Sequence, residues 1–491
     1  MVARPICRAL SGAAALALSA AGLLSSPAVA QQRTLSRADS ALVGRILLAE
    51  DRRDSTDRAL AEGVESTDSR IRILARRAVW RIRDPKFTVR DSLPALAAPT
   101  IWPEPAWLLR FRALTQHHDD CAALRAALTD SAWAVRLHAA DLSGPSCSSD
   151  STLVATVRRW IDDVPAHADT RARGGVAWQA AAHGLLALAR LAPGEASTRA
   201  ARLATHSTWQ LRMYAARAFG LLHDSTHLRT LVRDPDDNVK EAAILALRAL
   251  TRHADDSLYI AALRARGAQA VRAAAAALEG SPHPEARAAA NEAFEQWVAR
   301  DISSARDARA ALLAAAGRPV TDDRAPVGRD SIPPDVVPLA LGKDVRLRVT
   351  LAPTSGGGSF VVRLRGDIAP ITAARILSLV RRHYYDGLTW QRVEPDFVIQ
   401  GGSPGASEYV GYSRYFRDEL GNVPHLRGTV GMSTRGHDTG DAQWFVNLRD
   451  NLRLNRDYTV FGEVVQGMDV VDGILEGDMI ARIEELRAPP P

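Results

Sequence analysis

The first hydrophobic pattern along the chain is a repeated helical one. Between about residues 45 and 316, an apolar anchor followed by a pair of alanines recurs, as at Leu211, Val239 and Val271, which lie 28 and 32 residues apart. A polar residue opens each unit and can cap a helix, and the small alanines let neighbouring helices approach closely. One such unit cannot bury its apolar face alone, so the pattern predicts helix pairs that stack into a solenoid.

These repeats resemble the HEAT family, and the resemblance implies a stack of helix pairs with a concave surface of the kind that often binds proteins. The repeated motif is degenerate and its spacing is irregular. An ordinary irregular helical domain therefore stays open as the alternative. Exposed arginines such as Arg136 and Arg212 are interpreted as solvated residues or as partners within the repeats, and none is nominated as a ligand site.

The second hydrophobic pattern begins near residue 345 and has the period of a strand. Apolar residues at 345, 347, 349 and 351 alternate with polar ones, which predicts a half-buried strand. Three glycines at 356–358 predict a loop, and residues 360–364 a returning strand. Thr372 is then predicted to cap a helix that ends near Gly387 and has an apolar face formed by Ile376, Leu379 and Val380.

Composition separates the same two regions. From residue 343 onward the chain holds 18 of its 33 glycines and about half of its aromatic residues, whereas the preceding part is rich in Ala, Leu and Arg. Five prolines among charged residues predict a partly extended linker between the two. The chain of 491 residues is therefore predicted to contain a HEAT-like helical domain at 31–316, a linker at 317–342, a mainly β domain at 343–485 and a tail at 486–491.

Residues 1–30 have the features of a secretory signal peptide, with Arg4 and Arg8, a short apolar run and a small-residue site ending at Ala30. The run is short for a membrane span, so we expect cleavage, export to a periplasm or the outside, and no stable membrane insertion; a retained membrane helix is the alternative. Cys121 and Cys147 remain, and a disulfide is favoured in an oxidising compartment. Two unpaired thiols stay open, because spacing alone does not establish the geometry.

The net charge of +6 does not indicate nucleic acid as a partner. The positive residues are scattered along the predicted helices, and the lysines are only Lys86, Lys240 and Lys343. A nucleic-acid-binding protein more often shows a basic stripe with interleaved aromatic residues. The sequence also shows no metal-ligand spacing, so we expect neither a metal nor a cofactor.

The β domain carries five sequence blocks in a fixed order. They are YYDGLTWQRV at 384–393, PDFVIQGG at 395–402, GTVGMS at 428–433, QWFV at 443–446 and YTVFGEV at 458–464. In this order and spacing the blocks resemble the cyclophilin-type peptidyl-prolyl cis-trans isomerases, over nearly all of residues 343–483. The resemblance implies an eight-stranded antiparallel β-barrel with two helices, and an enzyme that acts on proline-containing polypeptides.

The same resemblance implies roles for individual residues. Arg392 matches the catalytic arginine of the family, and Gln400 matches the glutamine that holds this arginine and the peptide backbone. The wall for the proline ring is matched by Phe397, Val398, Phe445 and Leu454, its rim by Tyr458, a second backbone contact by Gln443, and the peptide groove by Ser433, Thr434 and Arg435. Trp444 is interpreted as a core residue, because it points to the opposite face of its strand from Phe445.

Two positions depart from the family pattern. Arg453 stands where many members carry Trp, which argues against affinity for cyclosporin, and Arg435 is expected to narrow or recharge the groove. Because Arg392 is retained, we expect an exported isomerase that assists protein folding, with helical repeats that recruit client or partner proteins. The alternative is a module that binds proline peptides with little turnover, held on the helical scaffold.

Overall fold

A computed structural model of the chain describes residues 35–85, 99–165, 178–300, 302, 305–320, 328–412 and 414–486. The predicted signal peptide lies outside the described residues, as do residues 321–327 of the predicted linker and 487–491 of the predicted tail.

Helices form the described part of the chain up to residue 320. They are α1 (Arg37–Arg52), α2 (Arg58–Val64), α3 (Ser69–Arg83), α4 (Ala106–Gln116), α5 (Cys121–Ala127), α6 (Trp133–Leu142), α7 (Ser151–Asp162), α8 (Trp178–Leu191), α9 (Pro193–Leu203), α10 (Trp209–Leu221), α11 (Ser225–Leu231), α12 (Asp237–Thr251), α13 (Asp256–Ala262), α14 (Ala268–Leu278), α15 (Ala286–Ala299) and α16 (Arg306–Ala315).

The helices from α4 onward form a stack. In one row, α4, α6, α8, α10, α12, α14 and α16 each contact the next, and the helices between them pack against this row. Their buried side chains form one hydrophobic core from Leu114 to Ala316. Aspartates open several helices by accepting hydrogen bonds from first-turn backbone N–H groups, namely Asp120, Asp150, Asp224 and Asp236. The predicted stack of helix pairs is confirmed, and we call α4–α16 the helical stack.

The first three helices do not belong to the helical stack, which differs from the predicted helical domain at 31–316. Their buried residues, such as Ile46 and Leu74, lie in the hydrophobic core of the β domain. The described part of the predicted linker is not simply extended either, because α17 (Val336–Ala340) buries Val336 and Leu339 in that same core. Amphipathic helices look alike in sequence whichever core they cover, so the packing partner is set only by the tertiary structure.

Eight strands form one antiparallel sheet in the β domain. They are β1 (Arg346–Leu351), β2 (Ser359–Leu364), β3 (Arg392–Glu394), β4 (Val398–Gly401), β5 (Thr429–Met432), β6 (Trp444–Asn447), β7 (Val460–Gln466) and β8 (Ile480–Leu486). The order is β3-β4-β6-β5-β7-β2-β1-β8, and an isolated bridge between Thr389 and Met479 brings its two ends together. With α18 (Pro370–Arg381) and α19 (Met468–Asp472), this confirms the predicted eight-stranded antiparallel domain with its helices.

Helix α18 begins earlier than predicted and ends earlier too. Ala369 is the N-cap and Pro370 the first helical residue, a position that suits proline because its fixed φ is helical and no N–H is needed there. Thr372 lies inside the first turn, and its hydroxyl donates to the buried Glu419 at 2.7 Å. Glu419 also accepts from the backbone N–H groups of Ile371 and Thr372. The prediction that Thr372 is the cap was wrong. The carboxylate of Glu419, which is distant in sequence, accepts the hydrogen bonds of the first-turn N–H groups instead.

The two cysteines of the helical stack are joined. Cys121 at the start of α5 and Cys147 after α6 form a disulfide, with their Cα atoms 5.4 Å apart. Cys147 is fully buried in the core of the stack. Across the described ranges, no helix has both the length and the apolar character needed to cross a membrane.

Candidate active site

Three neighbouring strands place the polar residues of the candidate site. Arg392 on β3 lies opposite Gln400 on β4, and Gln400 lies opposite Phe445 on β6. Residues directly opposite each other in an antiparallel pair share a face of the sheet. The register therefore gathers an arginine, a glutamine and an aromatic ring on one face. Arg392 Nη1 lies 3.5 Å from Gln400 Oε1, at the long limit of a hydrogen bond.

A small apolar cluster, which we call the pocket, lies beside this row. Its members form a hydrophobic cluster apart from the main core, made of Phe397, Val398, Phe445, Leu454 and Tyr458. The Phe445 and Tyr458 rings meet edge to face with centroids 5.7 Å apart. The Arg392 side chain stays 43% exposed, so its N–H donors can reach a ligand held in the pocket. Trp444, which points away from the pocket, is buried as predicted.

A buried histidine supports the pocket from behind. The His425 ring stacks on Phe445 with centroids 5.7 Å apart, Nε2 lies 3.1 Å from the Tyr458 carbonyl, and Nδ1 lies 3.2 Å from the Asn447 side-chain amide nitrogen. Nε2 therefore donates and Nδ1 accepts, which is the pattern of a neutral imidazole. Burial lowers the pKa of His425 to about 4, so this pattern persists at neutral pH. Sequence analysis missed this residue, because a lone histidine carries no pattern.

Arg453 occupies one side of the pocket wall. Its guanidinium lies over the Phe397 ring, 4.2 Å from the centroid, while that of Arg392 lies 5.7 Å from the same ring. An arginine over an aromatic face is attracted by the ring quadrupole. The position that departs from the family pattern thus still packs against the pocket, with a cation in place of an aromatic surface.

Gln443 is bonded at both ends of its amide to the protein itself. Its side-chain nitrogen donates to three carbonyls of residues 403–411, which we call the 403–411 loop, at 3.0 to 3.2 Å. Its Oε1 accepts from the side chains of Gln391 at 2.9 Å and Gln400 at 3.1 Å. Gln443 therefore fixes this loop and orients Gln400, and through Gln400 it reaches Arg392.

The remaining predicted groove residues lie beside β6 and outside the pocket cluster. Ser433 and Thr434 follow β5, and the Ser433 N–H donates to the Gln443 carbonyl at 2.9 Å. The next residue, Arg435, bonds to the Tyr415 hydroxyl at 2.6 Å and to Asp307 of α16 at 2.5 Å. Arg435 therefore ties this end of the groove to the helical stack.

Other helices of the stack also contact the loops around the site. Asn238 of α12 donates to a carbonyl of the 403–411 loop at 3.0 Å, and Arg272 of α14 lies 3.8 Å from the Tyr409 ring centroid. On the other side, Arg112 of α4 pairs at 2.7 Å with Asp396, the neighbour of Phe397. Sequence analysis missed these contacts, because they join residues as many as 284 positions apart.

The region that carries the site matches known proteins. Residues 349–486 match the family model described as cyclophilin type peptidyl-prolyl cis-trans isomerase/CLD. The peptidyl-prolyl cis-trans isomerase ppi1 of Schizosaccharomyces pombe is 36% identical over 138 residues, covering 26% of this chain and 89% of that protein. Peptidyl-prolyl cis-trans isomerase B of Bacillus subtilis is 33% identical over 129 residues, covering 26% and 90%. This chain belongs to the cyclophilin-type peptidyl-prolyl cis-trans isomerases.

The chain is therefore an isomerase, and the predicted enzyme class is confirmed by these relatives. A solved cyclophilin type peptidyl-prolyl cis-trans isomerase from Cryptosporidium parvum is 22% identical, with a TM-score of 0.28, and covers 30% of this chain and 99% of that one. These matches concern the β domain, and the helical stack lies outside the residues matched by the family model. Among the residues that the structure describes, no group of His, Cys, Asp and Glu is arranged to hold a metal ion.

Proposed function

We propose that this isomerase acts on proline-containing polypeptides at Arg392, with the proline ring in the pocket formed by Phe397, Val398, Phe445, Leu454 and Tyr458. The observation that carries the proposal is the half-exposed guanidinium beside that pocket. Gln400 lies opposite Arg392 in the ladder and holds it in place, and Gln443 holds Gln400.

The chemistry needs no covalent step. Rotation about the prolyl bond faces a barrier of ~18–20 kcal/mol, because amide resonance must be broken. A hydrogen-bond donor aimed at the prolyl nitrogen as it pyramidalises stabilises the transition state more than the ground state. Arg392 suits this task since its guanidinium is always charged and presents forked donors. The apolar wall holds the ring and excludes water from the rotating bond.

The catalytic role of Arg392 is tested by Arg392→Ala in the full chain, with kcat/KM measured in a protease-coupled assay on an Ala-Pro peptide. We expect a loss of about 100-fold, the size seen when one preorganised donor is removed. Arg482→Ala on β8, whose side chain is 58% exposed, is the matched control and should keep wild-type activity. If wild type and Arg392→Ala were equally slow, the chain would be a proline-binding module without useful turnover.

The proposal includes export of the protein. It is supported by the signal-like features of residues 1–30 and by the Cys121–Cys147 disulfide, since disulfides persist in oxidising compartments. The test is mass spectrometry of protein recovered from its native host without reduction. An amino terminus just after Ala30 and a peptide linking the two cysteines are expected, whereas an uncut terminus and free thiols would contradict export.

The proposal also gives the helical stack a role in recruiting clients for folding. Uncatalysed prolyl isomerisation takes tens to hundreds of seconds, so a foldase gains from holding an unfolded chain near its site. Contacts of α12, α14 and α16 with the loops around the site support this role. Hydrogen exchange of the full chain with an unfolded client should show protection in these helices. Protection confined to the β domain would contradict it.

A further inference from the structure

Arg392 stands between two clefts, and the helical stack forms the outer side of both. The larger cleft, of about 680 Å³, lies between α10, α12 and α14 and the 403–411 loop. The smaller, of about 430 Å³, lies between α4, α6 and α8 and residues 393–395. Four residues line both clefts, namely Arg217, Gln391, Arg392 and Glu476. The clefts therefore meet at the arginine, and we call them together the trench.

The helical side of the larger cleft carries an apolar group of residues among polar ones such as Glu241 and Gln269. Trp209 and Met213 of α10 and Leu245 of α12 line it, and Leu245 is 51% exposed. A single exposed leucine needs no explanation on a protein surface. This leucine, however, lies with a tryptophan and a methionine in the same cleft as Arg392, which is where an apolar ligand group gains most from burial.

Two polar side chains where the clefts meet, Gln391 and Arg217, can still bond to a ligand. Gln391 Oε1 is shielded from solvent and has no hydrogen-bond partner in the described part of the chain, whereas the amide nitrogen of Gln391 donates to Gln443. A buried acceptor without a partner costs about 1–3 kcal/mol, and a peptide N–H would satisfy it. Arg217 on the facing helix is exposed, and its guanidinium packs 4.7 Å from the Tyr214 ring centroid. One of its N–H groups donates to the Met213 sulfur at 3.7 Å, and the others suit peptide carbonyls.

We propose that α10 and α12 form the second wall of the substrate site, and that this wall selects polypeptides with a bulky apolar residue beside the proline. The inference rests on the proposed role of Arg392, because a peptide bound at that arginine lies inside the trench. An extended chain advances ~3.3–3.6 Å per residue, so residues flanking the proline must run along the wall. Charges of both signs line the trench, including Arg217 and Glu476. The charges therefore favour neither sign of substrate, and the apolar residues Trp209, Met213 and Leu245 distinguish one substrate from another.

The test uses the full chain and two decapeptides that differ only in carrying leucine or serine on either side of a central Ala-Pro. Wild type should prefer the leucine peptide in kcat/KM by about tenfold, mainly through KM. Leu245→Ser and Trp209→Ala should each lower this preference to about threefold or less, and Leu245→Met should retain it. Leu221→Ser is the matched control, since Leu221 on α10 is 45% exposed and lines neither cleft.

The outcomes separate this inference from the proposed function. A preference left intact by Leu245→Ser, lost equally in Leu221→Ser, or absent in wild type overturns the second wall. Arg392→Ala in the same assay tests catalysis alone. If wild type is active and Arg392→Ala is inactive, the catalytic proposal stands whether or not wild type prefers the leucine peptide. Thermal unfolding establishes that each variant is folded, and Leu245→Thr replaces Leu245→Ser if the serine variant is not.

Discussion

The helical part of the chain meets the β domain in two different ways. At the contact of α1–α3 with the β domain, which we call the buried junction, both sides share one hydrophobic core. Arg81 lies inside it, donating to the carbonyls of Ile368, Glu419 and Leu420 and pairing with Glu50 at 2.6 Å. At the trench, single contacts such as Asn238 to the 403–411 loop and the Tyr214 hydroxyl to Glu476 join the two parts, and Gln391 Oε1 beside Arg392 has no hydrogen-bond partner among the described residues.

The two kinds of contact show how one fold can hold its active site in position and also keep that site open to a ligand. Apolar burial stabilises in proportion to area, and a buried charge is tolerated only when it is paired, so opening the junction is costly. Open clefts bury little and hold unpaired groups, which is the state a binding surface needs before its ligand arrives. The buried junction therefore positions the β domain, and the trench stays open for the substrate to bind.

The largest effect expected at the junction comes from Arg81→Ala. Burial by itself would raise the pKa of Glu50, and the charges of Arg77 and Arg81 hold that pKa below its ordinary value. Removing Arg81 leaves Glu50 buried with a weaker partner, so the free energy of unfolding should fall by about 3–5 kcal/mol in urea titrations.

The exposed Arg76 of the same helix gives the control for this prediction. Arg76→Ala should cost less than about 0.5 kcal/mol, because surface substitutions away from such features have small effects. The double variant Arg81→Ala with Glu50→Gln should lose less than the sum of its parts, because neutralising Glu50 removes the unpaired charge. An Arg81→Ala cost no larger than that of Arg76→Ala would show that packing alone holds the junction.

The junction side should also have its own pH signature. Burial raises the pKa of Asp418 to about 7, so the folded state keeps a proton that the unfolded chain releases above ~3.9. Stability from this group is present below that value and is lost as pH rises through 7. Asp418→Asn keeps the acceptor for the Asp438 N–H and cannot ionise. The variant should exceed wild type by about 4 kcal/mol above neutral pH and match it near pH 4 in urea unfolding; a difference that is constant with pH would contradict the assignment.

Local sequence was enough to predict the elements that have a short pattern or motif of their own. Alternation at 345–351 located β1, and the ordered blocks located β3, β4 and β6 with Arg392 and Gln400. It was not enough for the buried junction, where Arg81 bonds to a carbonyl 339 positions away. A window of sequence shows an amphipathic stripe but not what covers it. For the same reason the sequence did not predict the hydrogen bonds of Gln443. Its motif at 443–446 is local, but the 403–411 loop that accepts these bonds is distant in sequence.

The stability contributed by His425, which lies behind the pocket, should depend on pH in the opposite direction. The pKa of His425 falls from an ordinary ~6.5 to about 4 on burial, so stability from this group is present above ~6.5 and is lost as pH falls toward 4. Between about pH 7 and pH 5 the loss should reach about 2 kcal/mol. Urea unfolding is measured in an Asp418→Asn background, which removes the opposing slope. His425→Asn in that background should flatten the curve, and an unchanged slope would show that His425 is not its source.

The smallest effect expected is at the edge of the trench, in Arg272→Ala. This change removes the guanidinium that pairs with Glu241 and lies 3.8 Å from the Tyr409 ring, and the ring contact is worth about 0.5–1 kcal/mol. The 403–411 loop should then open more often, and its protected amides, such as the Ser407 N–H bonded to the Ser403 hydroxyl, should exchange about two to five times faster. Arg300→Ala removes a similar contact, 4.1 Å over Trp297, inside the helical stack and is the matched control. Loop exchange that rises only in Arg272→Ala would show that the helical stack holds the loop on which Gln443 depends, whereas equal exchange in both variants would leave the β domain to order this loop by itself.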